Sequence, residues 1–238
     1  MADHDASLPS GMVAEPDIDA LLQDAIDPAL LDHSDTDENF SNEDVQRLTT
    51  AWTNEKQAPD LLPFADQLVG DLTEMVQNQA QMLDAIQEDN TAQAFTVMLY
   101  QSEIERIKYL LRSYLRTRLL KIEKHAMYYT STEDYISRMS VNERNYAQRY
   151  RSLHEGHLRK SCLNKLPQAV QALDEMHGDI PMVPEPNLQS AVICRVVRDI
   201  GDFAVTESET VEMKKDNIFL VGYQAIRPLL AEGHVELL

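Results

Sequence analysis

Residues 102–116 of the chain have the sequence Ser-Glu-Ile-Glu-Arg-Ile-Lys-Tyr-Leu-Leu-Arg-Ser-Tyr-Leu-Arg. Apolar side chains recur in this stretch at intervals of three and four residues, which is the period of an α-helix with one face against a core. The same period continues on both sides, so we predict one long helix from about Thr91 to Ala126. The side chains predicted to face the core are Ile104, Ile107, Leu111, Tyr114, Leu115, Leu119 and Ile122.

Further helical stretches flank this helix in the sequence. We predict them from Ser41 to just before Pro59, over about 61–87, over about 132–166 and, as a short closing helix, over 169–176. Long helices joined by short loops predict an all-α bundle, which we place at residues 41–177. Its candidate core residues are Trp52, Leu68, Leu72, Ile107 and Leu111. Several of these helices exceed the average length, so we expect them to project apolar flanks that need partners.

Two short patterns mark expected helix starts. Ser41 is followed by Asp44 three residues later, and Ser140 is followed by Glu143 at the same spacing. In a capping box, the first side chain accepts a hydrogen bond from the backbone of the second, and the second side chain accepts one in return. Both patterns therefore predict the first turn of a helix.

The spacing of apolar residues changes from a helical to a strand-like period after residue 177. Prolines at positions 181, 184 and 186 predict a stiff linker over 178–188. Residues 189–238 contain β-branched runs typical of strands, at 191–197, 210–213, 218–221 and 235–238, with a turn at Gly201-Asp202 and one short helix at 223–232. About 50 residues are marginal for independent stability, so this β-rich domain should lean on the helical body or on another chain. The predicted fold class is α+β, with the helical bundle first.

The N-terminal 40 residues contain no Lys or Arg and many Asp, which predicts a flexible acidic arm. Within it, the segment Asp17–Ile26 would place four apolar side chains on one face of a short helix, namely Ile18, Leu21, Leu22 and Ile26. A helix this short is marginal alone but can be stable in a groove. Two interpretations stay open here, a docking motif and a solvated tail with accidental periodicity.

Charge is distributed very unevenly along the chain. The formal net charge is -19, yet fourteen of the 21 Lys and Arg residues lie between Arg106 and Lys165, close to several tyrosines. This basic block admits three interpretations: an interface with an acidic partner, a solvated helix face, or a surface for nucleic acid. We favour the interface, because Arg and Tyr are enriched in interfaces. The candidate interface residues outside the arm are Arg112, Tyr114, Leu115, Arg116, Arg149, Leu237 and Leu238.

Catalytic signatures are missing from the sequence. It has no Gly-rich phosphate loop, no Gly-x-Ser-x-Gly elbow and no Cys-x-x-Cys pair, and its two cysteines stand far apart. His154 and His157 are three residues apart, whereas the zinc-protease motif requires four. With no signal-like N-terminus and no apolar run of about 18 residues, we expect an intracellular, non-enzymatic protein without a cofactor and without a membrane contact.

Three segments resemble one known family. Residues 51–62 (Ala-Trp-Thr-Asn-Glu-Lys-Gln-Ala-Pro-Asp-Leu-Leu) are similar to the Trp-x-Asn-Glu-x-x-Ala-Pro-Glu-Leu-Leu run of the "five" (Go) subunit of the GINS complex, Go-Ichi-Ni-San. Residues 107–119 resemble the central helix of that subunit, and 225–238 resemble its ending. Asp60 stands where Glu is usual. The resemblance covers most of Ser41–Leu238 in the same order.

This resemblance implies a helical A domain, a small β-rich B domain and no active site of its own. It implies a heterotetramer with the "one", "two" and "three" subunits. It further implies assembly in the nucleus with the MCM hexamer, which holds the ATPase, and a Cdc-forty-five-type protein, with DNA contacted only weakly or indirectly. The segment 17–26 is similar in style to peptides that dock a trimeric replisome adaptor. The alternative from composition is a stand-alone helical protein that binds nucleic acid through residues 106–165.

Overall fold

A computed structural model describes residues 35–85, 91–167, 171–174, 176–177, 180–206 and 209–238. The predicted arm segment with Ile18, Leu21, Leu22 and Ile26 lies outside these residues. The helical part consists of α1 (Asp35–Gln57), α2 (Asp66–Ala85), α3 (Thr91–Lys124), α4 (Ala126–Ser131), α5 (Glu133–Arg138) and α6 (Val141–Ser161), with a 3-10 turn at Leu163–Lys165. A helix of the length and apolarity needed to cross a membrane does not occur among the described residues.

The C-terminal part is strand-rich. It contains β1 (Met176–His177), β2 (Ile180–Pro181), β3 (Ala191–Val196), β4 (Gly201–Thr206), β5 (Glu209–Met213), β6 (Ile218–Gly222), α7 (Tyr223–Ala231) and β7 (Val235–Leu237). All strand pairs are antiparallel, in a three-stranded sheet of order β6-β3-β7 and two hairpins, β1-β2 and β4-β5. The predicted α+β class, a helical bundle followed by a small strand-rich domain, is confirmed.

The helical core forms where α1, α2 and α3 pack together. Its fully buried members are Val45, Leu48, Leu72, Val76, Ile104, Ile107, Leu110, Leu111 and Tyr114. Trp52 and Leu68, which we predicted in the core, are half-buried against this cluster. A second cluster at the other end of α3 joins α4, α5 and α6 and contains Leu61, Ile122, Tyr129, Tyr135, Met139 and Ala147.

Two predicted helix starts were wrong. Helix α1 begins at Asp35, so Ser41 lies inside the helix and cannot cap it. Helix α2 begins at Asp66 rather than at 61, because Pro63 disfavours helical backbone at the residue before it.

The second capping box is present at the start of α6. Glu143 N donates to Ser140 Oγ at 3.2 Å, and Ser140 N donates to Glu143 Oε2 at 2.9 Å. This reciprocal pair ends the preceding short helix α5 at Arg138 and begins a new one. The stretch predicted as a single helix over 132–166 is therefore divided into α5, α6 and the 3-10 turn.

The predicted short helix at 169–176 was wrong. Residues 171–174 are not helical, and β1 pairs with β2 in the register Met176 to Pro181 and His177 to Ile180. Part of the predicted linker is thus a small hairpin.

Strand β4 was also missed, because Gly201-Asp202 was interpreted as a turn. Gly201 has a φ of 81°, which suits glycine, and it is the first residue of β4. Phe203 and Val205 pack against the core of this domain, while Asp202 and Ala204 are exposed. This alternation has the period of a half-buried strand.

The core of the strand-rich domain includes a residue of the helical domain. Ala58, just after the end of α1, is buried with residues of β3, β5, α7 and β7. The other buried members are Val192, Cys194, Val196, Met213, Tyr223, Ile226, Leu229, Val235 and Leu237. The two domains therefore share one packed interior.

We expect Leu237→Ala to lower the free energy of unfolding by about 2–5 kcal/mol, because it leaves a cavity in this core. Leu237 is 2% exposed and the adjacent Leu238 is 40% exposed, so Leu238→Ala is a matched control with an expected change within about 0.5 kcal/mol. Urea unfolding of the full chain measures both. Equal effects of the two substitutions would contradict the inward orientation of Leu237.

Candidate protein interface

A buried arginine organises the helical domain. Arg118 on α3 is fully buried, and its guanidinium uses all five N–H groups. It donates from Nε and Nη2 to both oxygens of Glu143 (2.7 and 3.1 Å), and from Nη1 to Glu55 Oε2 at 2.9 Å. The two remaining bonds go to the carbonyl oxygens of Leu62 (2.7 Å) and Arg138 (3.1 Å). One side chain thus joins α1, α3, the end of α5 and α6.

The surroundings of Arg118 keep its charge in place. Burial alone would lower the pKa of Arg118, but the hydrogen bonds that it donates to Glu143 and the charge of Glu55 outweigh burial and raise this pKa. The guanidinium also lies over the rings of Phe64 (5.2 Å) and Tyr114 (5.7 Å). The charged form is therefore held by carboxylates on two sides and by aromatic faces.

Lys121 extends this group toward the second domain. Its Nζ donates at 2.8 Å to Glu55 Oε1 and at 2.8 Å to the carbonyl oxygen of Asp60. Burial lowers the pKa of Lys121, and the charge of Glu55 opposes that shift. We call Glu55, Asp60, Arg118, Lys121 and Glu143 the charge network.

Asp60 is the point where the two domains meet. Its carboxylate is fully buried and accepts a hydrogen bond from Tyr223 Oη of α7. Arg227 of α7 and Arg138 of α5 bring Nη atoms to 3.2 and 3.4 Å from Asp60 Oδ2. Burial is the main cause that raises the pKa of Tyr223, and the charge of Asp60 raises it further. The phenol therefore stays protonated and donates its hydrogen bond to Asp60. One carboxylate therefore binds groups from both domains.

Two further hydrogen bonds join the domains. Leu237 N of β7 donates to Asn54 Oδ1 of α1 at 2.7 Å, which satisfies an edge group of the three-stranded sheet. His125, between α3 and α4, places Nδ1 2.9 Å from the carbonyl oxygen of Pro184 in the linker. Burial is the main cause that lowers the pKa of His125. The strand-rich domain leans on its own helical domain.

The predicted interface residues fall into three groups. Tyr114 and Leu237 are buried inside the chain, so the prediction of a surface role for both was wrong. The spacing of α3 placed Tyr114 on the core face, and the structure agrees with that part of the prediction. Leu115 is half-buried against the helical core. The exposed members are Arg112, Arg116, Arg149 and Leu238.

The basic block 106–165 does not form a continuous surface. Arg118 is buried, and Lys121 is largely covered. Half of the cations in the block form ion pairs with carboxylates of the same chain: Arg106, Lys108, Arg112, Arg118, Lys121, Arg138 and Arg151. Cations that are paired in this way contribute less to counterion release from a nucleic acid. The arrangement therefore weakens the nucleic-acid interpretation.

An apolar surface lies at the far end of α2 and α3, and we call it the helical tip. Met82 lies three residues before the end of α2, and Phe95 lies four residues after the start of α3. The exposed large apolar side chains of the tip are Met82, Phe95, Met98, Leu99 and Tyr100. Leu99 alone is 54% exposed. Groups of exposed apolar side chains are typical of protein interfaces.

A second apolar surface covers the outside of the three-stranded sheet, and we call it the sheet face. Ile193 of β3 stands opposite Leu220 of β6, and Arg195 stands opposite Ile218. All four side chains are exposed because the alternate residues of β3 face the core. The apolar members of the sheet face are Ile193, Ile218, Leu220 and Leu238.

Catalytic chemistry has no candidate among the described residues. His154 and His157 are exposed, and no group of three His, Cys, Asp or Glu side chains that could hold a metal ion occurs in the part of the chain that the structure describes. The buried carboxylates of the charge network are bound by cations and hydrogen-bond donors. They are therefore part of the fold rather than free acids or bases.

Sequence reasoning missed the charge network, although one signal was present. Arg118 continues the spacing of Ile104, Ile107, Leu111 and Tyr114, so it stands at a core position of α3. A cation at a core position requires buried carboxylates. Glu143 was found only as a capping residue, and nothing local in the sequence indicates that Glu55 or Asp60 is buried.

Comparisons with known proteins identify related chains. A family model described as "GINS complex protein helical bundle domain" (Sld5) matches residues 72–161, and one described as "DNA replication complex GINS protein SLD5 C-terminus" matches 186–238. The boundary between the two models falls beside the linker, which agrees with the division between the helical and strand-rich domains.

Full-length relatives give the same result. The chain is 34% identical over 196 residues to "DNA replication complex GINS protein sld5" of Schizosaccharomyces pombe, covering 82% of this chain and 92% of the relative. It is 33% identical over 225 residues to the SLD5 protein of Chaetomium globosum, covering 93% and 99%. It is 32% identical over 206 residues to that of Homo sapiens, covering 82% and 88%.

We expect Arg118→Leu to lower the free energy of unfolding by about 3–5 kcal/mol, because Glu143 then remains buried without a cation and Glu55 keeps only its contact with Lys121. Arg116→Leu is the control on the same helix; Arg116 is exposed, so its loss should change stability by no more than about 0.5 kcal/mol. Urea unfolding of the full chain tests the pair. If Arg118→Leu lowers the free energy of unfolding no more than Arg116→Leu does, the charge network does not stabilise the packing of these helices.

Acid should weaken the contact at His125. Since its pKa is lowered in the fold, the unfolded chain binds more protons, and stability falls as the pH drops below the ordinary value of about 6.5. Thermal unfolding between pH 8 and pH 5 should show a smaller loss in His125→Asn than in the native chain. His154→Asn changes an exposed histidine and serves as the control. Identical pH slopes for native chain and His125→Asn would contradict this role.

Proposed function

Because the chain belongs to the Sld5 family of GINS complex proteins, we propose that it is a non-catalytic scaffold subunit of a GINS heterotetramer. Its partners in this proposal are the three other GINS subunits, and the chain corresponds to the "five" (Go) subunit that its motifs resemble. The names of the relatives place them in a DNA replication complex. The chain itself then acts in DNA replication, in the nucleus.

The observation that carries the scaffold role is the apolar helical tip. Its five side chains are roughly half exposed, so covering them would contribute on the order of 5 kcal/mol. Association costs an estimated 4–15 kcal/mol, so the tip alone would leave little or no net binding free energy. A second surface is required, and the sheet face offers one on the other domain. Two separate apolar surfaces on one chain suit a subunit that contacts more than one neighbour.

The buried junction between the domains supports the same role. Asp60, Asn54 and His125 fix the strand-rich domain on the helical domain, so the tip and the sheet face keep a constant relative position. Binding several partners with pre-organised surfaces avoids the entropy cost of ordering them. A scaffold needs this property and needs no reacting group.

We further propose that the GINS heterotetramer is part of the replicative helicase, together with the MCM hexamer and a Cdc-forty-five-type protein. This assembly acts during initiation and elongation of DNA replication. The ATPase belongs to MCM, and this chain contacts DNA only weakly or indirectly. The internal pairing of half of the cations in block 106–165 supports the indirect contact. The role of segment 17–26 in docking a trimeric replisome adaptor remains a prediction.

Co-expression with the three other GINS subunits tests the proposal. We expect a soluble complex of four chains, and we expect Leu99→Asp to weaken it by at least about 30-fold, the effect of a central interface residue. Gln101→Asp introduces the same charge at an exposed polar position on the same helix and should leave the complex intact. Quantitative pull-down from the co-expressed mixture measures both variants.

Two results would contradict the scaffold role. One is a full chain that stays a soluble monomer in the presence of the three subunits. The other is a complex that tolerates Leu99→Asp and Gln101→Asp equally, since the tip would then be no interface.

A further inference from the structure

The outer face of α3 carries a further exposed stripe, which is distinct from the helical tip and the sheet face. We define the α3 stripe as Tyr109, Arg112, Arg116 and Leu120, all exposed and spaced at three or four residues along one face. Tyr109 is 62% and Leu120 is 59% exposed. Apolar groups thus stand at both ends of the stripe, with two guanidinium groups between them.

The cations of the stripe are weakly paired within the chain. Arg112 has one long contact, with Nη1 4.0 Å from Glu105 Oε2. Among the described residues, Arg116 and the nearby exposed Lys124 have no carboxylate within ion-pair distance. The stripe is therefore a local cationic surface on a molecule with a net charge of -19. Such a surface selects an acidic occupant with apolar side chains.

The chain itself contains a segment of that chemistry. The first 40 residues have no Lys or Arg, and the apolar face of the segment 17–26 consists of Ile18, Leu21, Leu22 and Ile26. If helical, the segment places Asp17 and Asp24 along one border of this apolar face and Asp19 along the other. On α3, Arg112 and Arg116 lie on one side of the line from Tyr109 to Leu120, and Lys124 lies on the other. The two patterns are complementary in charge.

The lengths of the segment, of the stripe and of the residues that connect them also agree. The line from Tyr109 to Leu120 is about 16 Å long, and a ten-residue helix is about 15 Å long. Glu55 meets Arg118 on α3, and Asp35 lies about 30 Å back along α1 from that contact. The eight residues 27–34 span up to about 28 Å when extended, and the docked helix adds its own length. The arm is therefore long enough to reach the stripe of its own chain.

We propose that the acidic segment 17–26 docks on the α3 stripe of the same chain and covers it. This contact is independent of the scaffold role, because it involves only two parts of one chain. A partner that uses either the segment or the stripe must first displace this contact. The arm thereby lowers the apparent affinity for both kinds of partner until one of them is present in excess.

Photo-cross-linking of the full-length chain tests this contact. With Leu22→benzoylphenylalanine, irradiation should link the arm to a peptide containing residues 109–120. The charge reversal Arg112→Glu with Arg116→Glu should reduce the cross-link yield about tenfold. Arg149→Glu with Lys160→Glu reverses two exposed charges on α6 and should leave the yield unchanged. Asp17→Lys with Asp24→Lys should restore the yield in the chain that carries the two reversals on α3.

Three results would overturn the proposal. The first is a cross-link that maps elsewhere on the chain or to another molecule. The second is a cross-link yield that is the same with and without the charge reversals and does not fall as the salt concentration is raised from 50 to about 500 mM. Exposed ion pairs are screened at the higher concentration. The third is binding of a DNA duplex that depends on Arg112 and Arg116 while the cross-link does not, since nucleic acid would then be the occupant. None of these results bears on assembly with the other GINS subunits, which co-expression measures separately.

Discussion

The structure depends on the burial of one guanidinium. Arg118 joins three long helices and a short one because its five donors find acceptors on Glu55, Glu143 and two carbonyl groups. A buried charge is costly unless every group around it is satisfied, so the positions of these elements are fixed together. An apolar residue at this position could pack in several ways, whereas a fully bonded arginine specifies one arrangement.

Lys121 and Asp60 connect the buried Arg118 and its partners to the strand-rich domain. Lys121 ties Glu55 to the backbone of Asp60, and the side chain of Asp60 binds Tyr223 and Arg227 of α7. The strand-rich domain is small, and one of its core positions is filled by Ala58 of the helical domain. Hydrogen bonds and ion pairs at Asp60 and apolar packing at Ala58 thus join the same two domains. The consequence for a scaffold is that the helical tip and the sheet face are held at a constant distance.

Much of this fold could be predicted from the sequence. The period of 102–116, the capping box at Ser140 and the β-branched run of β3 each have a local signature, and each led to an element that the structure contains. The start of α1 was missed because the spacing of Ser41 and Asp44 is that of a capping box, and β4 was missed because Gly201-Asp202 has the composition of a turn. The exposed apolar side chains of the tip follow from helix length.

The candidate site was less accessible to sequence reasoning. Tyr114 and Leu237 were assigned to an interface, yet both face inward. The period of α3 already placed Tyr114 on the core face, whereas the short run 235–238 does not show which of its two faces meets the core. The burial of Glu55 and Asp60 depends on residues more than fifty positions away in the chain. Contacts of that kind have no local signature. A cation in the apolar stripe of α3 was the one indication that such carboxylates exist.

The most direct test of a rigid frame with two apolar binding surfaces is hydrogen–deuterium exchange of the full chain, alone and with the three other GINS subunits. The account predicts added protection at the helical tip, around 95–100, and in β6, with little change near Arg118, where the chain is already packed. Protection that rises across the whole chain would show that the frame forms only on binding. Unchanged exchange at the tip and in β6 would show that these surfaces stay open, and the scaffold role would then be wrong.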